Sequence, residues 1–85
     1  MTIRFLKPFV KDYTKLPDDK QKKVDRLLNL LKQDLYHPGL NARKMTGKEE
    51  IWEARVDIHY RMTFKIEGEL LVMRRVGTHE IYRRP

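Results

Sequence analysis

The hydrophobic period of this chain changes once, and that change restricts the fold more than any single residue does. Val24, Leu27, Leu28, Leu31 and Leu35 recur at three and four residues, the spacing that gathers side chains on one face of a helix. From Ile51 onward the spacing falls to two. Trp52, Ala54, Val56 and Ile58 alternate with Glu53, Arg55 and Asp57, while Tyr60, Met62, Phe64 and Ile66 alternate with Arg61, Thr63 and Lys65. Alternation of this kind belongs to strands with one buried face. A third run, Glu69 to Val76, is apolar on both sides and reads as an interior strand, reached through a hairpin turn at Glu67-Gly68.

The first part of the chain supplies the remaining elements. Thr2 to Leu6 mixes β-branched and aromatic residues and predicts a strand, ended by Pro8. Phe9, Val10, Tyr13 and Leu16 then fit a short helix. Leu16-Pro17 breaks it, because proline lacks a backbone donor and disfavours helix in the residue before it. A second helix is predicted over residues 17–35, with Asp18 and Asp19 in the first turn, where the helix dipole favours negative charge. His37-Pro38-Gly39 stops it, and residues 36–44 read as a loop. Strand, two helices, then three or four strands predict an α+β sandwich, an antiparallel sheet of about four strands with a helical hairpin packed on one face. A chain of 85 residues has room for one such domain, spanning 1–85.

Charge indicates what this sandwich meets. Nineteen Lys and Arg against twelve Asp and Glu give a net charge of +7, which suits a polyanionic partner: nucleic acid, an acidic protein or an anionic membrane surface. The longest apolar run, Leu70 to Met73, is four residues, far short of the roughly 20 that a spanning helix needs. No signal-peptide pattern opens the chain, so a soluble protein is expected. Cysteine is absent, which removes disulfides and thiolate metal sites and makes the cytoplasm the default compartment.

Strand parity gathers the polar residues into a candidate site. Arg55 and Arg61 lie on the polar faces of adjacent strands, and Arg75 shares parity with Gly77 and His79 on the next. Tyr82 follows just beyond the last strand, Arg43 and Lys44 enter from the preceding loop, and Arg83 adds a further cation. This set suits cleavage of RNA without a metal. That reaction needs a base for the ribose 2′-OH, an acid for the leaving 5′ oxygen, and cations for charge on the phosphate. Histidine titrates near neutrality and can do either proton job. Tyr82, with a reference pKa of about 10, is a second proton donor if neighbouring arginines lower that value. The 2′-OH makes RNA the logical substrate, and arginine forks match phosphate oxygens.

Plainer roles compete for the same residues. Tyr82 would equally serve as a last core anchor, His37 as a loop residue and His59 as part of a turn between strands. Trp52 reads as core. Glu49, Glu50 and Glu53 read as charge partners for the basic face, with Glu53 or Glu80 as an alternative base. No histidine lies at metal-ligand spacing from another histidine or a carboxylate pair, so neither a metal nor another cofactor is expected.

The stretch from His37 to Arg84 resembles the second half of the RelE/ParE superfamily of toxins. The resemblance rests on the HPGL loop, a glycine at the turn before the strand W-E-A-R-V, the Y-R opening of the next strand, and V-G-T-H followed by an aromatic. It implies the toxin of a type II toxin–antitoxin system, partnered by a cognate antitoxin. For the RelE branch it implies cleavage of mRNA in the ribosomal A site. Arg55 and Arg61 fall at the family's cationic strand positions, His79 at the histidine of its G-T-H motif, and Tyr82 near its terminal aromatic. Arg43 and Lys44 fall in a loop where other members carry His or Lys, so a base supplied there in some members is missing here. The ParE branch, similar in fold, resembles gyrase inhibitors and generally lacks the catalytic set. His79 and Tyr82 together with Arg55 and Arg61 favour the nuclease; a gyrase-inhibiting toxin or a non-catalytic RNA- or protein-binding module is the alternative.

Overall fold

The computed structural model describes residues 1–47 and 50–85. Glu49, expected as a charge partner, lies outside the described residues. Strand β1 (Thr2–Phe5) leads into helix α1 (Lys7–Thr14) and helix α2 (Asp18–Gln33). A 3-10 turn (Pro38–Leu40) and the short strand β2 (Arg43–Lys44) follow, then β3 (Trp52–Arg55), β4 (Arg61–Glu67), β5 (Leu70–Gly77) and a second 3-10 turn (His79–Arg83). Pro8 sits in the first turn of α1, where its missing N–H costs nothing. The side chain of His37 accepts a hydrogen bond from the Gly39 amide at the start of the first 3-10 turn, as suits a loop histidine.

The helices cover one face of the sheet. Phe9 and Leu16 from α1 and its exit, and Val24, Leu27 and Leu31 from α2, form one apolar cluster with Ala54, Met62, Phe64, Leu71, Met73 and Val76. Val24, Leu31, Met62 and Phe64 are completely buried, each worth about 1.5 to 3 kcal/mol of transfer free energy. The expected α+β sandwich is therefore present. Among the described residues no helix is long and apolar enough to cross a membrane.

Two details of the sheet differ from the expectation of about four antiparallel strands. It has five strands in the order β1-β5-β4-β3-β2, and β1 runs parallel to β5, with Thr2 opposite Leu70 and Phe5 opposite Met73. The sheet is mixed because β1 lies beside β5 and runs in its direction, although two helices and three strands separate the two in the chain. Hydrophobic period reveals a strand but not which distant strand it joins. The second addition is β2, two residues taken from the expected loop 36–44 and paired with β3.

Residues 56–60 also depart from the alternating pattern. β3 ends at Arg55, and the backbone turns back so that the Val56 amide donates to the Tyr60 carbonyl at 3.0 Å. Ile58, expected on the buried face, is 67% exposed at the tip. His59 lies in this turn as expected. The β4–β5 hairpin closes through Gly68, whose φ of +62° is the left-handed conformation that primed hairpin turns require.

Candidate functional site

Alternation on three strands builds the face turned away from the helices. Arg43 on β2, Glu53 and Arg55 on β3, and Arg61 and Thr63 on β4 flank the residues Ala54, Met62 and Phe64 that enter the core. Register sets Arg43 opposite Glu53 and Arg55 opposite Arg61. Like charges directly opposed across strands destabilise a sheet. Stability alone does not explain that pair.

Glu53 is the buried acid among these cations. It is 6% exposed, and Arg43 donates from Nε to its Oε1 at 2.9 Å. Arg55 is exposed. Arg61 is half-buried, its Nη1 donating to the main-chain oxygens of Asp57 and Tyr60, the latter at 2.9 Å. Arg43, Arg55, Arg61 and Glu53 line a cavity of about 440 Å³ together with Asn41 and Ala42. Arg43 and Glu53 also border a second cavity of about 240 Å³, which reaches Tyr82. The Arg43–Glu53 ion pair is thus the ridge between the two.

The C-terminal segment folds back over the same face. Ile81 is buried against Gly77, where a Cβ would stand 3.0 Å from the Ile81 Cγ2, so glycine is what permits the approach. The main-chain oxygen of Pro85 accepts from Thr63 Oγ1 at 3.2 Å and from Arg74 Nε at 3.0 Å. This return places Tyr82 beside Glu53, Arg61 and Arg43. The His79 ring lies 5.6 Å from that of Tyr82, centroid to centroid, on the exposed rim.

The condition that neighbouring arginines lower the Tyr82 pKa is not met on balance. Burial raises it, and the Glu53 carboxylate, as hydrogen-bond partner and as charge, raises it further; Arg61 and Arg43 lower it by less. The phenol therefore stays protonated through neutral pH. Glu53, read in the sequence as a charge partner, is what tips the balance.

Arg43, Arg55, Arg61 and Tyr82 meet as the sequence suggested, with His79 at their edge. Arg75 does not join them. It keeps its register opposite Thr63, but Asp12 of α1 accepts from its Nε at 2.6 Å and its Nη2 at 3.1 Å. Parity places a Cα on a face and does not fix where a long side chain ends. Lys44 holds its ammonium 5.9 Å over the Trp52 ring, and Arg83 is exposed on the second 3-10 turn. Trp52 is half-buried against the core cluster. The sequence reading left Thr63, Arg74 and Asp57 without a role. Arg74 stands in a register shift, since Thr63 pairs with Arg75 and Phe64 with Met73; paired arginines closing an apolar strand were the available signal. Among the described residues no three His, Asp or Glu side chains gather closely enough to hold a metal.

The structural neighbours of this five-stranded mixed sheet with its helical pair are RelE-, YoeB-, YafQ- and ParE-type toxins of type II toxin–antitoxin systems. The toxin of the RelB-RelE antitoxin–toxin complex from Methanococcus jannaschii is similar with a TM-score of 0.78 and 25% identity, over 95% of this chain and 98% of that one. YafQ from E. coli gives a TM-score of 0.78 at 23% identity, over 94% of each chain. A YoeB/ParE toxin from Agrobacterium tumefaciens gives 0.79 at 15% identity, over 93% of this chain and 99% of that one. No family model and no curated protein sequence matches the chain.

Proposed function

We propose that this chain is the toxin of a type II toxin–antitoxin system and a metal-independent endoribonuclease that cleaves mRNA on the ribosome. The observation that carries the reading is the meeting of Arg43, Arg55 and Arg61 with a protonated Tyr82 on one sheet face, His79 at its edge. The likeness to the Methanococcus jannaschii toxin supports it, and that toxin's antitoxin complex supports a cognate antitoxin here.

In this mechanism the ribose 2′ oxygen attacks the adjacent phosphorus and the bond to the 5′ oxygen breaks, leaving a 2′,3′-cyclic phosphate and a 5′-hydroxyl. His79 takes the 2′-OH proton. Tyr82, held protonated by burial and Glu53, delivers a proton to the leaving oxygen. Arg55 and Arg61 stabilise charge on the phosphate, and Arg43 with Lys44 and Arg83 holds flanking phosphates. Arg75, held by Asp12, contributes to the field of the face.

The test is inducible expression of the chain alone with primer extension on a reporter mRNA. Growth should slow and new 5′ ends should arise within the coding frame, while the His79→Ala, Tyr82→Phe double variant should lose both effects and still bind its antitoxin. Unchanged transcripts with inhibited gyrase supercoiling would move the chain to the gyrase-inhibiting class. Unaffected growth would leave a non-catalytic binding module.

A further inference from the structure

The turn at residues 56–60 is tied to the helical layer in a way that the proposed chemistry does not use. Asp57 Oδ1 accepts the main-chain amides of His59 at 2.9 Å and Tyr60 at 3.0 Å. Its Oδ2 accepts from Lys20 Nζ at 2.6 Å and from Lys23 Nζ at 3.4 Å, both on α2. Lys20 also stands 5.2 Å from the centre of the Tyr60 ring. One carboxylate therefore fixes the turn from inside and fastens it to α2 from outside.

The carbonyls of that turn hold Arg61. Its Nη1 donates to the main-chain oxygens of Asp57 and Tyr60, so the guanidinium sits on two acceptors whose positions the Asp57 carboxylate sets. Among the described residues Nε and Nη2 have no hydrogen-bond partner, and Arg61 lines the larger basic cavity. One nitrogen is anchored, in a side chain that lines the cavity. An arginine with five donors and a long stem is otherwise free to sample many rotamers, which a bidentate phosphate contact would have to freeze.

We propose that Asp57 is a positioning residue for Arg61: with Lys20 and Lys23 it locks the turn whose carbonyls aim the Arg61 guanidinium into the basic cavity. The inference rests on the reading of Arg61 as a phosphate-stabilising cation. Asp57 touches no substrate itself. Its effect passes through the backbone, and a displacement of about 1 Å at a charge-stabilising group is enough to cost on the order of 100-fold in rate.

The test joins catalysis to a direct view of Arg61. Cleavage of an mRNA on purified ribosomes is measured for the parent, Asp57→Ala, Arg61→Ala and the double variant, alongside the side-chain Nε–Hε NMR signal and relaxation of Arg61. Asp57→Ala should lower kcat about 10- to 100-fold with little change in KM, the double variant should be no slower than Arg61→Ala, and the Arg61 signal should move toward that of a free arginine. Lys20→Met, which removes the shorter of the two tethers but leaves the turn's internal hydrogen bonds, should show a smaller shift of the same signal and keeps the idea testable if Asp57→Ala does not fold. An unchanged Arg61 signal in the folded variants overturns the inference, as does full additivity of the two alanine substitutions. If the parent does not cut RNA but the Arg61 signal collapses without Asp57, the positioning stands and the ribonuclease reading falls.

Discussion

Replacing Asp12 by alanine should destabilise the fold by about 2 to 4 kcal/mol, because this carboxylate completes an edge that β1 leaves open. β1 pairs with β5 only from Leu70 to Met73. Beyond that point the Val76 amide donates to Asp12 Oδ2 at 3.1 Å, and Arg75 donates to both carboxylate oxygens. Val76 is 1% exposed, so truncation leaves a buried amide without a partner, which costs about 1 to 3 kcal/mol. The Arg75 side chain is 28% exposed and water replaces part of its loss, which limits the ion pair to about 1 kcal/mol. In a domain of this size 1 kcal/mol moves Tm by about 4 to 8 °C, so a fall of about 8 to 32 °C is expected. Urea and thermal unfolding followed by circular dichroism measure it. Asp12→Asn keeps an acceptor for the amide and should lose about half as much. A Tm for Asp12→Ala within 2 °C of the parent would refute the reasoning.

Other outcomes follow from the same contacts. Burial pushes the Asp57 carboxyl up, but hydrogen bonds from Lys20 and the amides of His59 and Tyr60 outweigh it and hold the group below the usual carboxylate range. Its stabilisation is thus fully present above about pH 4 and is lost as pH falls toward the folded pKa; urea midpoints between pH 7 and 2 should fall less steeply in Asp57→Asn, and parallel curves would count against it. Tyr82 and Tyr13 are both raised, Tyr82 by burial and Glu53, Tyr13 by its hydrogen bond to Asp25. Absorbance titration should show ionisation extending above the ordinary phenol range, with part of that late rise missing in Tyr82→Phe. Arg61→Ala should cost about 2 to 4 kcal/mol of transition-state stabilisation, only partly restored by lysine; an unchanged cleavage rate would reduce the arginine to a solvated surface group. A 2′-O-methyl RNA oligonucleotide at 100 times its Kd should stabilise the fold by about 2.7 kcal/mol at low salt, an effect that should shrink with added salt and in Arg55→Ala.

What the sequence disclosed depended on whether the relevant physics was local. The period of Val24 to Leu31 names the face of α2 that is buried, since a helix side chain is placed by its own three- and four-residue neighbours. Glu53, Arg55 and Arg61 share a face for the same reason with period two. The pairing of Thr2 with Leu70 was illegible, because strand partnership is decided by loop closure and by which apolar faces meet. The fate of Arg75 was hidden in the same way, its acceptor Asp12 being 63 residues distant. Ile58 followed the alternation but fell where Asp57 imposes a turn, and a carboxylate capping two amides overrode the hydrophobic pattern.

The two adjacent arginines of β5 show how one irregularity serves both layers. In an unbroken strand continuing from Leu71 and Met73, Arg74 would point to the open face and Arg75 would drive a guanidinium into the apolar layer beside Met73. The register shift opposite Thr63 and Phe64 removes that conflict. Arg74 reaches the Pro85 oxygen on the open face, and Arg75 reaches Asp12 at the edge while its Nη1 meets the Arg84 oxygen at 3.3 Å. Both cations therefore hold the segment that carries Tyr82, one directly from the sheet and one from an anchor on α1. The position of the phenol beside Glu53 is consequently a property of the whole fold. The last turn of the chain is too short to set it alone.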